Sequence, residues 1–115
     1  MIKVYTIPEF DRSLVRLSKK YKSLKTEYLE FVEKVETDGV QGVSIGNGIF
    51  KARFAVKSKG KGKSGGLRII SYNDVIVFFE SDVVLLVDIY DKNEFSTIDK
   101  KILKKRIAEF IAKLQ

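Results

Sequence analysis

The sequence contains no cysteine and no histidine. The first absence removes a disulfide framework and any cysteine-based metal or redox centre. The second removes the commonest zinc ligand and the side chain most used for acid–base catalysis near neutral pH. Long apolar runs are missing too. Nothing approaches the roughly 20 residues that a membrane-spanning helix needs, and the opening Met1-Ile2-Lys3-Val4-Tyr5 lacks the apolar stretch of a secretory leader. The expectation is a soluble cytoplasmic protein with no metal, no cofactor and no membrane association.

What is present is a length suited to one domain, residues 1–115, with 44% hydrophobic residues to build a core. The charge is uneven. Lysine and arginine number 22 against 15 acidic residues, a net charge of +7. Between positions 51 and 68 stand Lys51, Arg53, Lys57, Lys59, Lys61, Lys63 and Arg68, with no acid among them. These seven account for the whole excess, since the remainder balances at 15 and 15. Positive charge so concentrated is the footprint of a polyanionic partner; a merely solubilising loop is the alternative.

The pattern along the chain predicts an α+β fold with helices on one face of a mostly antiparallel sheet. Ile2–Ile7 reads as a short strand, and Pro8 suits the first turn of a helix. Phe10, Leu14, Leu17 and Tyr21 recur at helical spacing, as do Leu24, Tyr28, Phe31, Val32 and Val35. Ser23 or Thr26 is the expected cap of the second helix and Asp38-Gly39 its end, giving an antiparallel helical hairpin. The glycine-rich stretch 39–48 reads as a loop.

From Ile49 to Lys57, Phe50, Ala52, Phe54 and Val56 alternate with Lys51, Arg53, Ala55 and Lys57, a strand with one basic face. A Lys/Gly loop to Gly66 follows. Leu67–Phe79 and Val83–Tyr90 then read as one long hairpin turning at Glu80-Ser81-Asp82, with a bulge near Asn73; a tight turn at Asn73-Asp74 is the alternative. A last helix, capped by Ser96 or Thr97, has Ile98, Ile102, Leu103, Ile107, Phe110, Ile111 and Leu114 as its apolar face and Lys100, Lys101, Lys104, Lys105 and Lys113 on the opposite face.

Gly62-Lys63-Ser64 looks like the end of a phosphate-binding P-loop, but Lys57 occupies the place of its first glycine and a strand follows where a helix is required. Nucleotide hydrolysis is therefore excluded. The loop makes sense as it stands: glycines admit close approach of a phosphate backbone, lysines supply mobile charge, and arginines on flanking strands hold a phosphate in a fixed fork.

Three stretches together, Lys51-Ala52-Arg53-Phe54, Ser58 to Ile70 and Ile89-Tyr90-Asp91-Lys92-Asn93-Glu94, resemble the RelE/HigB branch of type II toxin–antitoxin toxins, over roughly residues 10 to 112. Tyr21 to Lys25 and Gln41-Gly42 are similar to that group as well. The resemblance implies a single RelE-like domain: N-terminal strand, helical hairpin, antiparallel meander, C-terminal helix. It implies an endoribonuclease that cuts mRNA in the ribosomal decoding site, with a neutralising antitoxin encoded alongside. RelE-like toxins cut RNA with basic residues, which fits a chain without histidine.

Cleavage by the 2′-hydroxyl needs a base, cations on the phosphorane and an acid for the leaving oxygen. Lysines crowded by other cations release protons more readily. Lys51 or Lys63 is thus the candidate base, with Arg53 and Arg68 on the phosphate. Lys92 falls at the end of the last strand, and Glu94 is the candidate to orient it by pairing with it or to act in proton transfer. Lys57, Lys59 and Lys61 would grip RNA, and Tyr90 would stack on a base. By resemblance Lys51, Arg53 and Arg68 match the family's basic strand positions. The chain departs from some relatives in having Asn93 where they have a second arginine, and Asp99 near a catalytic tyrosine's place. A ParE-like gyrase inhibitor and a non-catalytic nucleic-acid-binding module are the competing readings.

Overall fold

The computed structural model describes residues 2–60, 66–74, 82–94 and 99–114. Their elements run β1 (Lys3–Thr6), α1 (Pro8–Lys20), α2 (Leu24–Asp38), β2 (Val43–Ser44), β3 (Ile49–Phe54), a single 3-10 turn at Lys57–Lys59, β4 (Leu67–Tyr72), β5 (Val83–Asp91) and α3 (Lys100–Leu114). The fold is α+β, with one five-stranded mixed sheet in the order β1-β5-β4-β3-β2. None of the described helices is long and apolar enough to cross a membrane.

The helical hairpin forms as its spacing predicts. Pro8 opens α1, Glu9 and Asp11 sit in its first turn and Lys19 and Lys20 in its last, all favourable to the helix dipole. Phe10 and Leu17 are buried, as are Leu24, Phe31 and Val35 of α2. The Phe10 and Tyr28 rings lie 5.8 Å apart and join the two helices. Phe31 meets Phe54 edge-on at 5.6 Å and fixes α2 to β3. Gly39 ends α2 at φ 96°, a conformation that glycine adopts without strain.

Three sequence expectations need correction. First, the sheet is not a simple meander: β1 pairs β5 in parallel, Lys3 beside Val83, and β5 becomes an interior strand between β1 and β4. Every residue of β4 and β5 is buried. Second, a hairpin turning at Glu80–Asp82 would set Phe79 opposite Val83 and hence Tyr72 opposite Tyr90. The register instead sets Tyr72 opposite Leu85 and Leu67 opposite Asp91, with the irregularity between Ile70 and Ser71 rather than at Asn73. Asn73 closes the ladder, donating its backbone N–H to Gly48 O (2.9 Å) and its side-chain amide to Val83 O (2.7 Å). Residues 75–81, on which the predicted turn falls, lie outside the described residues. Third, Ser96 and Thr97 are outside them too, and the described start of α3 is capped by Asp99, whose Oδ1 accepts the Lys101 N–H at 2.9 Å. The 39–48 loop also contributes the two-residue edge strand β2, paired with Phe50 and Lys51.

Gly42 is the tightest point of that edge. Its φ is +99°, and a Cβ there would stand 2.3 Å from the Lys51 carbonyl oxygen. Gly60 shares a left-handed φ of 74° but has open space around it. Gly42→Ala should therefore cost on the order of 2–3 kcal/mol through strain and displaced backbone. Gly60→Ala should cost only about 1–2 kcal/mol of left-handed strain. Urea midpoints of the two variants measure the difference.

Candidate nucleic-acid interface

Strand pairing brings the predicted cations together. Arg53 of β3 is directly opposite Arg68 of β4, and Arg68 is directly opposite Tyr90 of β5, so the three share one face of the sheet. Lys51, two residues before Arg53, points the same way. β2 pairs with Phe50 and Lys51 only. Beyond it a cleft of about 970 Å³ runs between the sheet, the 41–45 segment and α2. Lys51, Arg53, Lys57, Arg68 and Lys92 line it from the strands and turns. Glu27, Glu30 and Lys34 line it from α2. Arg53, Lys57 and Lys92 are exposed and Lys51 is half-buried. Arg68 belongs to the floor: it is 5% exposed, and one guanidinium nitrogen donates to Leu67 O at 3.1 Å.

Opposed arginines repel one another unless something negative lies between or above them. Their separation at Cα is set by the ladder at about 4.5–5.5 Å. Arg53 offers a two-pronged donor fork to a phosphate oxyanion in the cleft, with Arg68 in the floor beneath it.

Other predicted contacts do not reach the cleft. Lys59 is turned inward: its Nζ donates to Asp91 Oδ1 at 2.8 Å, both side chains are buried, and the ammonium lies 5.5 Å from the Tyr21 ring centre. Its charge is spent on that ion pair and is not offered to RNA. Tyr90 is 2% exposed and cannot serve as a stacking platform. Glu94 pairs with Arg16 of α1 at 3.3 Å instead of with Lys92. Lys61 and Lys63 lie outside the described residues.

The structure also shows residues that motif reasoning passes over. Asp91 accepts from Tyr21 Oη (2.6 Å), Lys59 Nζ (2.8 Å) and the Asn93 backbone N–H (2.9 Å). The last of these, with Glu94 N–H to Asp91 O at 2.9 Å, shapes the tight turn that carries Lys92 to the cleft. Glu27 Oε2 accepts the Lys57 N–H at 2.9 Å and its Oε1 accepts Ser23 Oγ at 2.8 Å. Ser23 Oγ in turn meets Ser58 Oγ at 2.8 Å. The N-terminus of α2 thereby clamps the turn that carries Lys57. Ser23 stands at the N-cap position as predicted, but its hydroxyl serves this network rather than the helix end. The one visible signal for Asp91 is an acid closing a strand that is apolar apart from Asp88.

Burial alone would raise the Asp91 carboxyl, but the hydrogen bonds from Lys59, Tyr21 and the Asn93 N–H outweigh it and hold the group down at about 2. The same bond to Asp91 raises the Tyr21 phenol. An unfolded aspartate takes up its proton near 4. The native network thus contributes fully above about pH 5, then loses its contribution as pH falls from about 4 to 2, on the order of 2 kcal/mol in all. Urea midpoints at pH 7 and pH 2.5 should differ by more in the wild-type chain than in Asp91→Asn.

No protein-family model matches the chain, and no curated protein matches it in sequence.

Proposed function

We propose that the chain is an endoribonuclease toxin of the RelE/HigB type, cutting mRNA in the cleft between α2 and the basic face of β3 and β4. The observation that carries this reading is the pairing of Arg53 with Arg68, two cations opposed across a ladder and open to one cleft with Lys51, Lys57 and Lys92.

In this reading the scissile phosphate sits on the Arg53 fork, above Arg68, and both hold the charge that grows on the phosphorane. Lys51, on the same strand face, takes the 2′-hydroxyl proton. The 2′-oxygen attacks phosphorus, the bond to the 5′-oxygen breaks, and a 2′,3′-cyclic phosphate remains. Lys92, carried on the Asp91 turn, protonates the leaving 5′-oxygen. Lys57 binds the neighbouring phosphate. The resemblance in sequence supplies the context: an mRNA held in the ribosomal decoding site, and an antitoxin that neutralises the chain.

Mapping transcript 5′ ends after induction tests this. New ends within coding sequence support the reading. Intact transcripts with accumulated gyrase–DNA complexes would transfer the chain to ParE-like inhibition. Purified protein that binds RNA without cutting it, with or without ribosomes, would leave only a binding module.

A further inference from the structure

The start of α3 breaks the ordinary rules of helix electrostatics. Four of its first six residues are lysine: Lys100, Lys101, Lys104 and Lys105. No acid occupies the first turn, and the only carboxylate of the helix is Glu109. Cations there oppose the positive end of the helix dipole. Lys100 with Lys104, and Lys101 with Lys105, are also like-charge pairs one turn apart. All four are exposed, and among the described residues none forms an ion pair. Nor is the stripe needed for packing, since Leu103 and Ile107 are the buried residues of the helix. Asp99 at the cap offsets only part of this charge, and an external anion would relieve the rest.

The stripe is joined to the cleft. Lys100 Nζ donates to the Ile45 carbonyl, and Ile45 is itself a cleft-lining residue. The stripe thus begins beside the 41–45 edge of the cleft. Residues four apart rise about 6 Å along the axis, so the two pairs form a rigid double row suited to successive phosphates of a nucleic-acid strand.

We propose that Lys101, Lys104 and Lys105 form a second RNA-binding surface, which grips the phosphate backbone of structured RNA without taking part in chemistry. The surface stands on the helix alone and does not require the cleft to cut.

The test is the salt dependence of binding to an RNA hairpin, followed by fluorescence anisotropy, for the full chain and for Lys101→Gln/Lys104→Gln/Lys105→Gln. Each lost phosphate contact lowers the slope of log K against log salt by about 0.7–0.9. The triple variant should lose about two to three in slope. Its melting temperature should stay level or rise, because the substitutions relieve repulsion. Coincident slopes would overturn the proposal, as would unchanged RNA binding with lost binding to phosphatidylserine vesicles. Cleavage is read separately. If RNA is not cut but the slopes differ, the nuclease reading falls and this surface stands; if RNA is cut and the slopes coincide, only the surface falls.

Discussion

Arg53→Ala should lower RNA cleavage about 100- to 1000-fold, the usual loss when one preorganised donor to a developing oxyanion is removed. The side chain is exposed and makes no hydrogen bond or ion pair among the described residues, so its removal should leave thermal stability unchanged. It should also lift the repulsion with Arg68. Arg53→Lys should recover charge but not the two-pronged grip, and so restore binding more than turnover. The measurement is single-turnover cleavage of an oligoribonucleotide at saturating enzyme, which separates kcat from affinity. Cleavage at the wild-type rate in Arg53→Ala would remove the site assigned to it. Arg68→Ala is the poorer probe, because a floor residue that is 5% exposed changes packing and chemistry together.

The second large effect is on stability. Asp91→Asn removes the counter-charge of a buried lysine while leaving the ammonium where it is. Breaking a buried pair from one side typically costs about 3–5 kcal/mol, because the surviving charge stays desolvated. For a domain of this size that lowers the melting temperature by roughly 10–20 °C. Adding Lys59→Met should return most of the loss, since replacing both partners by groups that need no charge compensation is often near neutral. The pair of variants separates two roles of Asp91. If the double variant regains stability but not cleavage, the missing part is the turn through Asn93 and Glu94 that presents Lys92. Circular dichroism melts and the same cleavage assay read both.

Much of the fold was legible because it depends on local spacing. Phe10, Leu14, Leu17 and Tyr21 can share a face only on a helix. Phe50, Ala52 and Phe54 alternate with charge only on a strand, although β3 ends at Phe54 and the predicted strand residue Lys57 lies in the 3-10 turn after it. The basic face of β3 followed from that alternation, and so did its convergence with Arg68. What the residues do not reveal is pairing across long distances. Nothing near Lys3 announces Val83 as its neighbour, and apolar residues from 67 to 90 fit several registers equally well. The same limit applies to charge. Lys59 belongs by composition to the basic run, yet its partner stands 32 positions away at the end of β5. Composition counts cations but cannot say which are already neutralised. Tyr90 shows the corresponding limit for burial: a tyrosine at a strand end reads as accessible until the strand is known to be interior. Glu27 escaped notice because its partners are a backbone N–H and a serine hydroxyl, groups with no sequence signature.

The position of β5 has a consequence for biosynthesis. Among the described strands it is the last made, yet β1 and β4 both hydrogen-bond to it, and the turn after it delivers Lys92. β1 and α1 are both made long before β5, the strand against which each of them packs. The basic groove is therefore completed late, when β5 enters between β1 and β4, and a chain made only as far as β4 lacks the part that bears Lys92. Synthesis and competence are separated in time by topology alone.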